Sequence, residues 1–188
     1  LPEPVPSAAA GIESGRRPGE RGKHVSRQHL DGRAFRRALG CFATGVTVVT
    51  TVAADGAYAG LTVNSFNALS LDPPLVLWSL GVASTLRREF EAASYFAVNV
   101  LSDGQIALSR RFASRAAHRF AKLEVRPGAG GAPLLPDCAA WFECRTVSRE
   151  RRGDHLLFIG EVERFAATTR KPLLFLHGHY AAAGKRVV

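Results

Sequence analysis

Methionine is absent from the 188 residues, and lysine is nearly so, at 4 against 21 arginines. Cysteine is scarce. Cys41, Cys138 and Cys144 cannot all pair within one chain, and their spacings match no zinc-site pattern. A disulfide framework and a structural zinc are therefore not expected, and the thiols read as reduced, in a cytoplasmic setting. No apolar run approaches the roughly 18–20 residues that a membrane span needs, which excludes an integral membrane protein. The catalytic signatures that announce themselves in a sequence are also missing. There is no Gly-x-Ser-x-Gly, no P-loop and no Gly-x-Gly-x-x-Gly after a strand. Acidic residues are few and scattered, so hydrolysis by paired carboxylates has little support. An enzyme built this way needs a cofactor to carry its reaction.

What is present is an ordinary share of hydrophobic residues, 46%, in a length that suits one domain. The net charge is +9, which raises nucleic acid as a partner. Between Arg110 and Arg126 there are six basic residues against the single acidic Glu124. The only aromatics there are Phe112 and Phe120. Both fit helix packing, so the interleaved stacking residues of a nucleic-acid surface are lacking. The patch suits RNA, a phosphate-bearing cofactor or an acidic partner protein, and a solvated surface is the commoner explanation; no nucleic-acid partner is expected.

Residues 1–30 mix Pro, Gly, Ser and charge without apolar period and read as a disordered or flexible leader, with one domain over 31–188. Phe35, Ala38, Leu39 and Phe42 fall on one stripe of a helix, with Asp31 near its N-cap and Gly45 near its C-terminus. VTVVTTV over 46–52 is β-branched and favours a strand, and Asp55-Gly56 marks a turn. Extended character runs over 59–71, followed by a buried strand over 75–80. Helices are expected over 84–93, with Ser84 at or near the N-cap, and over 103–112. Strands are expected over 95–101, 139–147 and 156–166, and a last strand and turn over 173–181. Residues 115–131 read as a surface excursion. Strands that arrive as hairpins, with few long helices between them, argue for a mainly antiparallel β-barrel with peripheral helices.

One segment is unusually polar for its surroundings. Thr62, Asn64, Ser65, Asn67 and Ser70 sit inside LTVNSFNALSL, where buried amides and hydroxyls need hydrogen-bond partners that a planar polar ligand would supply. An outward-facing strand face explains the same alternation. Ser84 and Thr85 stand where a helix begins and suit phosphate, or simply cap the helix. His177 and His179, two apart on a strand, would share a face, but without a third ligand they make no metal site.

Taken in order, FRRALGCFATGVTVVTT, GLTVNSFNALSLDPPLVLWSL, the Ser84-Thr85 step, FAVNVLSDGQIALSRRFA, Gly153-Asp154-His155 with IGEV, and PLLFLHGHY resemble the short-chain flavin reductase family. The resemblance covers about residues 33–183. It implies an FMN-binding split β-barrel, typically a homodimer, that reduces FMN or FAD with NADH or NADPH. The reduced flavin would go to a partner oxygenase of a two-component monooxygenase. It implies a flavin pocket at Thr62, Asn64, Ser65 and Phe66, phosphate-side contacts from Ser84 and Thr85, and Asn99 next to the flavin. His155 is implied near the nicotinamide, and Tyr180 near the pocket or a dimer contact. Members often carry Arg or Lys shortly before the Ser-Thr step. Here that stretch is Gly81-Val82-Ala83, so Arg87 or the 110–126 stretch is expected to neutralise phosphate. A split-barrel protein that binds flavin without turnover would use the same pocket.

Overall fold

The computed structural model describes residues 31–116 and 118–184; the expected leader lies outside the described residues. Among the described residues, twelve strands and three α-helices follow in chain order. The first part holds α1 (Gly32–Leu39), β1 (Thr44–Gly45), β2 (Thr47–Val52), β3 (Tyr58–Val63), β4 (Asn67–Leu71), β5 (Pro74–Gly81), α2 (Arg87–Ala92) and β6 (Tyr95–Val100). The second holds α3 (Ile106–Ala113), β7 (Arg126–Pro127), β8 (Pro133–Leu134), β9 (Ala140–Arg152), β10 (His155–Ala167), β11 (Leu173–Leu176) and β12 (His179–Ala182). Among the described residues, no helix is long and apolar enough to cross a membrane.

The main sheet has seven strands in the order β3-β2-β6-β9-β10-β5-β4, and every pairing is antiparallel. Its two edge strands are consecutive in the chain. Laid flat, seven strands at about 4.8 Å spacing would hold the edges about 29 Å apart. The four Cα steps from Val63 to Asn67 reach at most about 14 Å. The sheet must therefore curl until β3 and β4 approach one another. They do so without pairing, which leaves the barrel split at that seam. The mainly antiparallel split barrel expected from the sequence is the fold observed.

The barrel interior is built from alternate residues of these strands. Val49, Trp78, Leu80, Phe96, Val98 and Phe158 are buried there together with Phe90 of α2. Trp78 stacks on Phe158 with centroids 4.5 Å apart, and Phe90 and Phe96 meet its ring edge-on. A second core lies on the outer face of the same strands. Val48, Ala97 and Trp141 pack there beneath Phe112 of α3, Leu134 and Leu135, and Leu173 of β11. This two-sided burial explains why β2 is apolar or Thr throughout instead of alternating.

Several local expectations change. The α1 stripe does not enter either core: Phe35 is 50%, Leu39 58% and Phe42 75% exposed. Asp31 caps α1 by accepting from the Arg33 N–H at 2.9 Å, but the helix ends at Gly40, and Gly45 belongs to β1. The run 59–71 is two strands joined across the seam. The excursion over 115–131 turns inward at its end, where Ala129 is buried and Ala132 follows it into the core. The Asp55-Gly56 turn forms as expected, with Gly56 at φ 83° and Asp55 accepting from the Ala57 N–H.

Candidate active site

A groove runs along β3, walled by α3 and, at one end, by β11 and β12 of the small sheet β1-β11-β12. A cavity of about 200 Å³ lies there, lined by Thr62, Asn64, Ser109, Phe175 and Tyr180 among others. Its polar wall is a chain of hydroxyls. Thr62 Oγ1 donates to the Ser109 carbonyl at 2.7 Å, which joins β3 to α3. Ser109 Oγ lies 2.9 Å from Tyr180 Oη. The Arg110 guanidinium sits 5.8 Å from the Tyr180 ring centroid, and Phe175 meets that ring edge-on. These contacts fix the tyrosine's orientation from both sides.

Thr62 also lines the next cavity, of about 190 Å³, whose other walls include Ser84, Thr85, Arg115 and Arg119. Arg119 is held by main-chain carbonyls: it donates to Ser114 O at 2.6 and 3.0 Å and to Gly60 O at 3.4 Å. Among the described residues, neither Arg115 nor Arg119 is in an ion pair with a carboxylate. Two guanidiniums without an acidic partner facing two hydroxyls suit a phosphate, which needs both charge and donors. Arg87, the other candidate, is taken up by Glu91, to which it donates at 3.0 and 3.1 Å.

Ser84 is not the helix cap. Helix α2 begins after Leu86, and Ser84 Oγ accepts from the Leu86 N–H at 3.3 Å in the turn before it. The step is thus a tight turn at the cavity wall, with Thr85 exposed.

The remaining expected residues lie elsewhere. Ser65 Oγ accepts from the Ser79 N–H at 3.0 Å and donates to Ser79 O at 3.2 Å, serving the stretch of β5 that lies beyond its pairing with β4. Phe66 packs against Phe142, with centroids 5.4 Å apart, and towards the barrel interior. Asn99 is wholly buried. Its Nδ2 donates to Val48 O and Thr50 Oγ1, and its Oδ1 accepts from the Leu135 N–H at 2.7 Å. Those bonds tie β2, β6 and the segment before β9 together. His155 opens β10 opposite Gly81, and its Nδ1 lies 2.8 Å from Asp154 Oδ1. That hydrogen bond, reinforced by attraction to the histidine, holds the Asp154 carboxyl below its ordinary range. His155 lines neither cavity described above. His177 sits in the β11–β12 turn at φ 51°, so it does not share a strand face with His179. Among the described residues, no cluster of metal-ligating side chains forms.

Ser109, Phe175, Arg115 and Arg119 join the site without having been singled out individually. The two arginines carried a signal, since they lie four apart in the most basic stretch of the chain. Ser109 carried none, being one serine in a helix whose other positions are apolar or basic.

Among the described residues, the groove contains hydroxyls, an aromatic wall and cationic charge without an acidic partner, but no carboxylate and no activated nucleophile. It can hold and orient a planar phosphorylated ligand, and it offers no acid–base pair of its own. These groups fit a flavin: hydroxyls for the polar edge of the ring, Tyr180 and Phe175 for its apolar surface, guanidiniums for the phosphate.

Comparison with known proteins bears on the same stretch of chain. The flavin reductase like domain matches residues 39–184. The chain is 45% identical over 150 residues to the FMN reductase (NADH) SmoA of Agrobacterium fabrum, covering 80% of this chain and 85% of that one. It is 40% identical over 154 residues to the reductase subunit HsaB of a flavin-dependent monooxygenase from Mycobacterium tuberculosis, covering 80% and 82%. A solved structure of the NADH:FAD oxidoreductase SgcE6 of Streptomyces globisporus, in complex with NAD and FAD fragments, superposes with a TM-score of 0.80. It has 34% identity and covers 87% of this chain and 98% of that one. A domain match over most of the described fold, relatives of this identity, and a groove with the donor set a flavin needs lead to one conclusion: the chain belongs to the flavin reductase family.

Proposed function

We propose that this protein reduces flavin with NADH and releases the product to a separate monooxygenase component. The observation that carries the reading is the groove that runs from Tyr180 past Thr62 to Arg115 and Arg119. It offers orientation and charge for a flavin but no acid–base machinery, which is all that hydride transfer asks of a protein. The names of the relatives, an NADH-dependent FMN reductase and a monooxygenase reductase subunit, support the same donor and the same destination.

When bound, flavin supplies the hydride acceptor and the nicotinamide supplies the hydride. The chain's own contribution is positional. Thr62, Ser109 and Tyr180 present hydroxyls towards the polar edge of the ring, and Arg115, Arg119, Ser84 and Thr85 anchor its phosphate. Asn99 holds the strands beneath, and Ser65 and Phe66 fix the seam in place of touching the ligand. His155, exposed at the start of β10 and oriented by Asp154, is the candidate for the nicotinamide side. Two copies pairing through the apolar strip of α1 would cover Phe35, Leu39 and Phe42, and we propose a homodimer on that ground.

The test is the loss of flavin visible absorbance on mixing, with FMN or FAD against NADH or NADPH. Reduction by NADH above the protein-free rate is expected. No reduction with any of the four pairs overturns the proposal, and flavin retention without NADH oxidation would favour a binding protein instead. For His155→Ala, the Michaelis constant for NADH should rise while the flavin dissociation constant stays nearly fixed; a shift in the flavin constant alone would remove His155 from the nicotinamide side.

A further inference from the structure

The phosphate end of the groove does not stop at Arg115 and Arg119. A third cavity, of about 230 Å³, shares Thr85, Leu86 and both arginines with the one before it and continues to Tyr58 and Phe120. Phe120 is not part of a helix, as its sequence context had suggested; it lies in the turns after α3. Its ring is half-buried, meeting Phe112 edge-on at 5.0 Å and lying against Gly60, where an added Cβ would come within 3.1 Å of it. Tyr58, 43% exposed at the start of β3, meets Phe120 at 5.5 Å. Two aromatic rings, one of them held from behind, stand at the groove's outer end.

Three cavities, each sharing lining residues with the next, give a sequence of surfaces: hydroxyl and aromatic, then cationic, then aromatic. A mononucleotide fills the first two. A dinucleotide has a ring system at each end of a diphosphate, and it matches all three. We infer that this groove binds the adenosine diphosphate half of a dinucleotide, with the diphosphate at Arg115 and Arg119 and the adenine against Tyr58 and Phe120. Continuity with the Thr62–Tyr180 cavity makes FAD the favoured source, and NADH carries the same half. The inference rests on the flavin reading above and goes beyond it, because it predicts discrimination between FAD and FMN. Bases stack on any aromatic face, so Tyr58 supplies affinity without sequence-like specificity.

The experiment is calorimetric titration of the full chain with FAD and with FMN, for the wild type, Tyr58→Ala and Tyr58→Phe. The wild type should prefer FAD. Tyr58→Ala should cut that preference, read as the ratio of the two dissociation constants, about 10-fold, and Tyr58→Phe should retain it. A parallel arm compares Michaelis constants for NADH and reduced nicotinamide mononucleotide. If that ratio alone falls in Tyr58→Ala, the adenosine half seated here is the nicotinamide dinucleotide's. If neither ratio moves, the inference is overturned while the reductase reading stands. If neither flavin binds to the wild type, both fail. A thermal melt of each variant monitors folding, and Phe120→Ala provides an independent removal of the same shelf.

Discussion

At the scale of single residues, Arg115 and Arg119 look alike in sequence but differ in their bonds. Arg115 is exposed and makes no hydrogen bond within the described chain that would be lost with it, so its guanidinium is free for a ligand. Arg119 spans two carbonyls on different elements and shapes the groove as well as charging it. Arg115→Ala should therefore weaken flavin binding by about 1.5–3 kcal/mol, the range for a hydrogen bond to a charged group, with an unchanged melting temperature. Arg119→Ala should weaken binding and also lower the melting temperature. Titration calorimetry and a thermal melt on both variants separate the two roles. The same comparison explains what could be read from the chain. A charge four residues from another announces itself, and so does the Glu91 that claims Arg87 one turn along α2; whether Arg115 and Arg119 meet a carboxylate from another part of the chain depends on the fold.

At the scale of elements, the long strands β9 and β10 show how a barrel interior constrains its smallest residue. Gly160 sits where the β9–β10 register shifts, and a Cβ there would stand 2.4 Å from Phe96 Cζ. Phe96 packs edge-on against Trp78 and has little room to move. Gly160→Ala should cost about 1–3 kcal/mol through overpacking, measured by denaturant unfolding. The hairpins, the Asp55-Gly56 turn and the succession of strands along the chain were legible because period, β-branching and turn residues are local signals. The split between β3 and β4 was not, because it arises from which strands become sheet edges. Asn99 shows the same limit from the other side. A lone polar residue in Phe-Ala-Val-Asn-Val looks like a ligand contact, yet its amide is consumed by two strands and the Leu135 N–H. The α1 stripe was correctly periodic, but periodicity reports that a face is apolar without saying what covers it.

At the scale of the whole molecule, that uncovered stripe borders a cavity of about 520 Å³ lined by Arg36, Leu39, Phe42, Thr44 and Phe175. Exposed apolar groups of this kind favour association. Sedimentation equilibrium should find a dimer at micromolar concentration, and Leu39→Asp should shift it towards monomer; a wild-type monomer would refute the pairing proposed. The net charge of +9 also acts at this scale. Flavins and nicotinamide dinucleotides are anions, and a basic surface raises their local concentration in a salt-dependent way. The excess arginines of the 110–126 stretch include both groove guanidiniums, so the charge that suggested nucleic acid is positioned for the small anions of the proposed reaction.

The three thiols are not equivalent. Cys138 and Cys144 are buried, and burial pushes each thiol up from 9.0 to about 12. Because these groups stay protonated in the fold but ionise near 9 when unfolded, their contribution to stability is complete below about pH 9 and declines between there and about 12. Cys41 is exposed in the turn after α1. A thiol reagent at pH 8 should thus modify one cysteine per native chain and three after denaturation, counted by mass. The protein therefore carries a natural single-site handle beside the apolar strip of α1. A fluorophore or spin probe coupled there, with no engineering of the chain, would signal the arrival of a second copy by energy transfer or dipolar broadening.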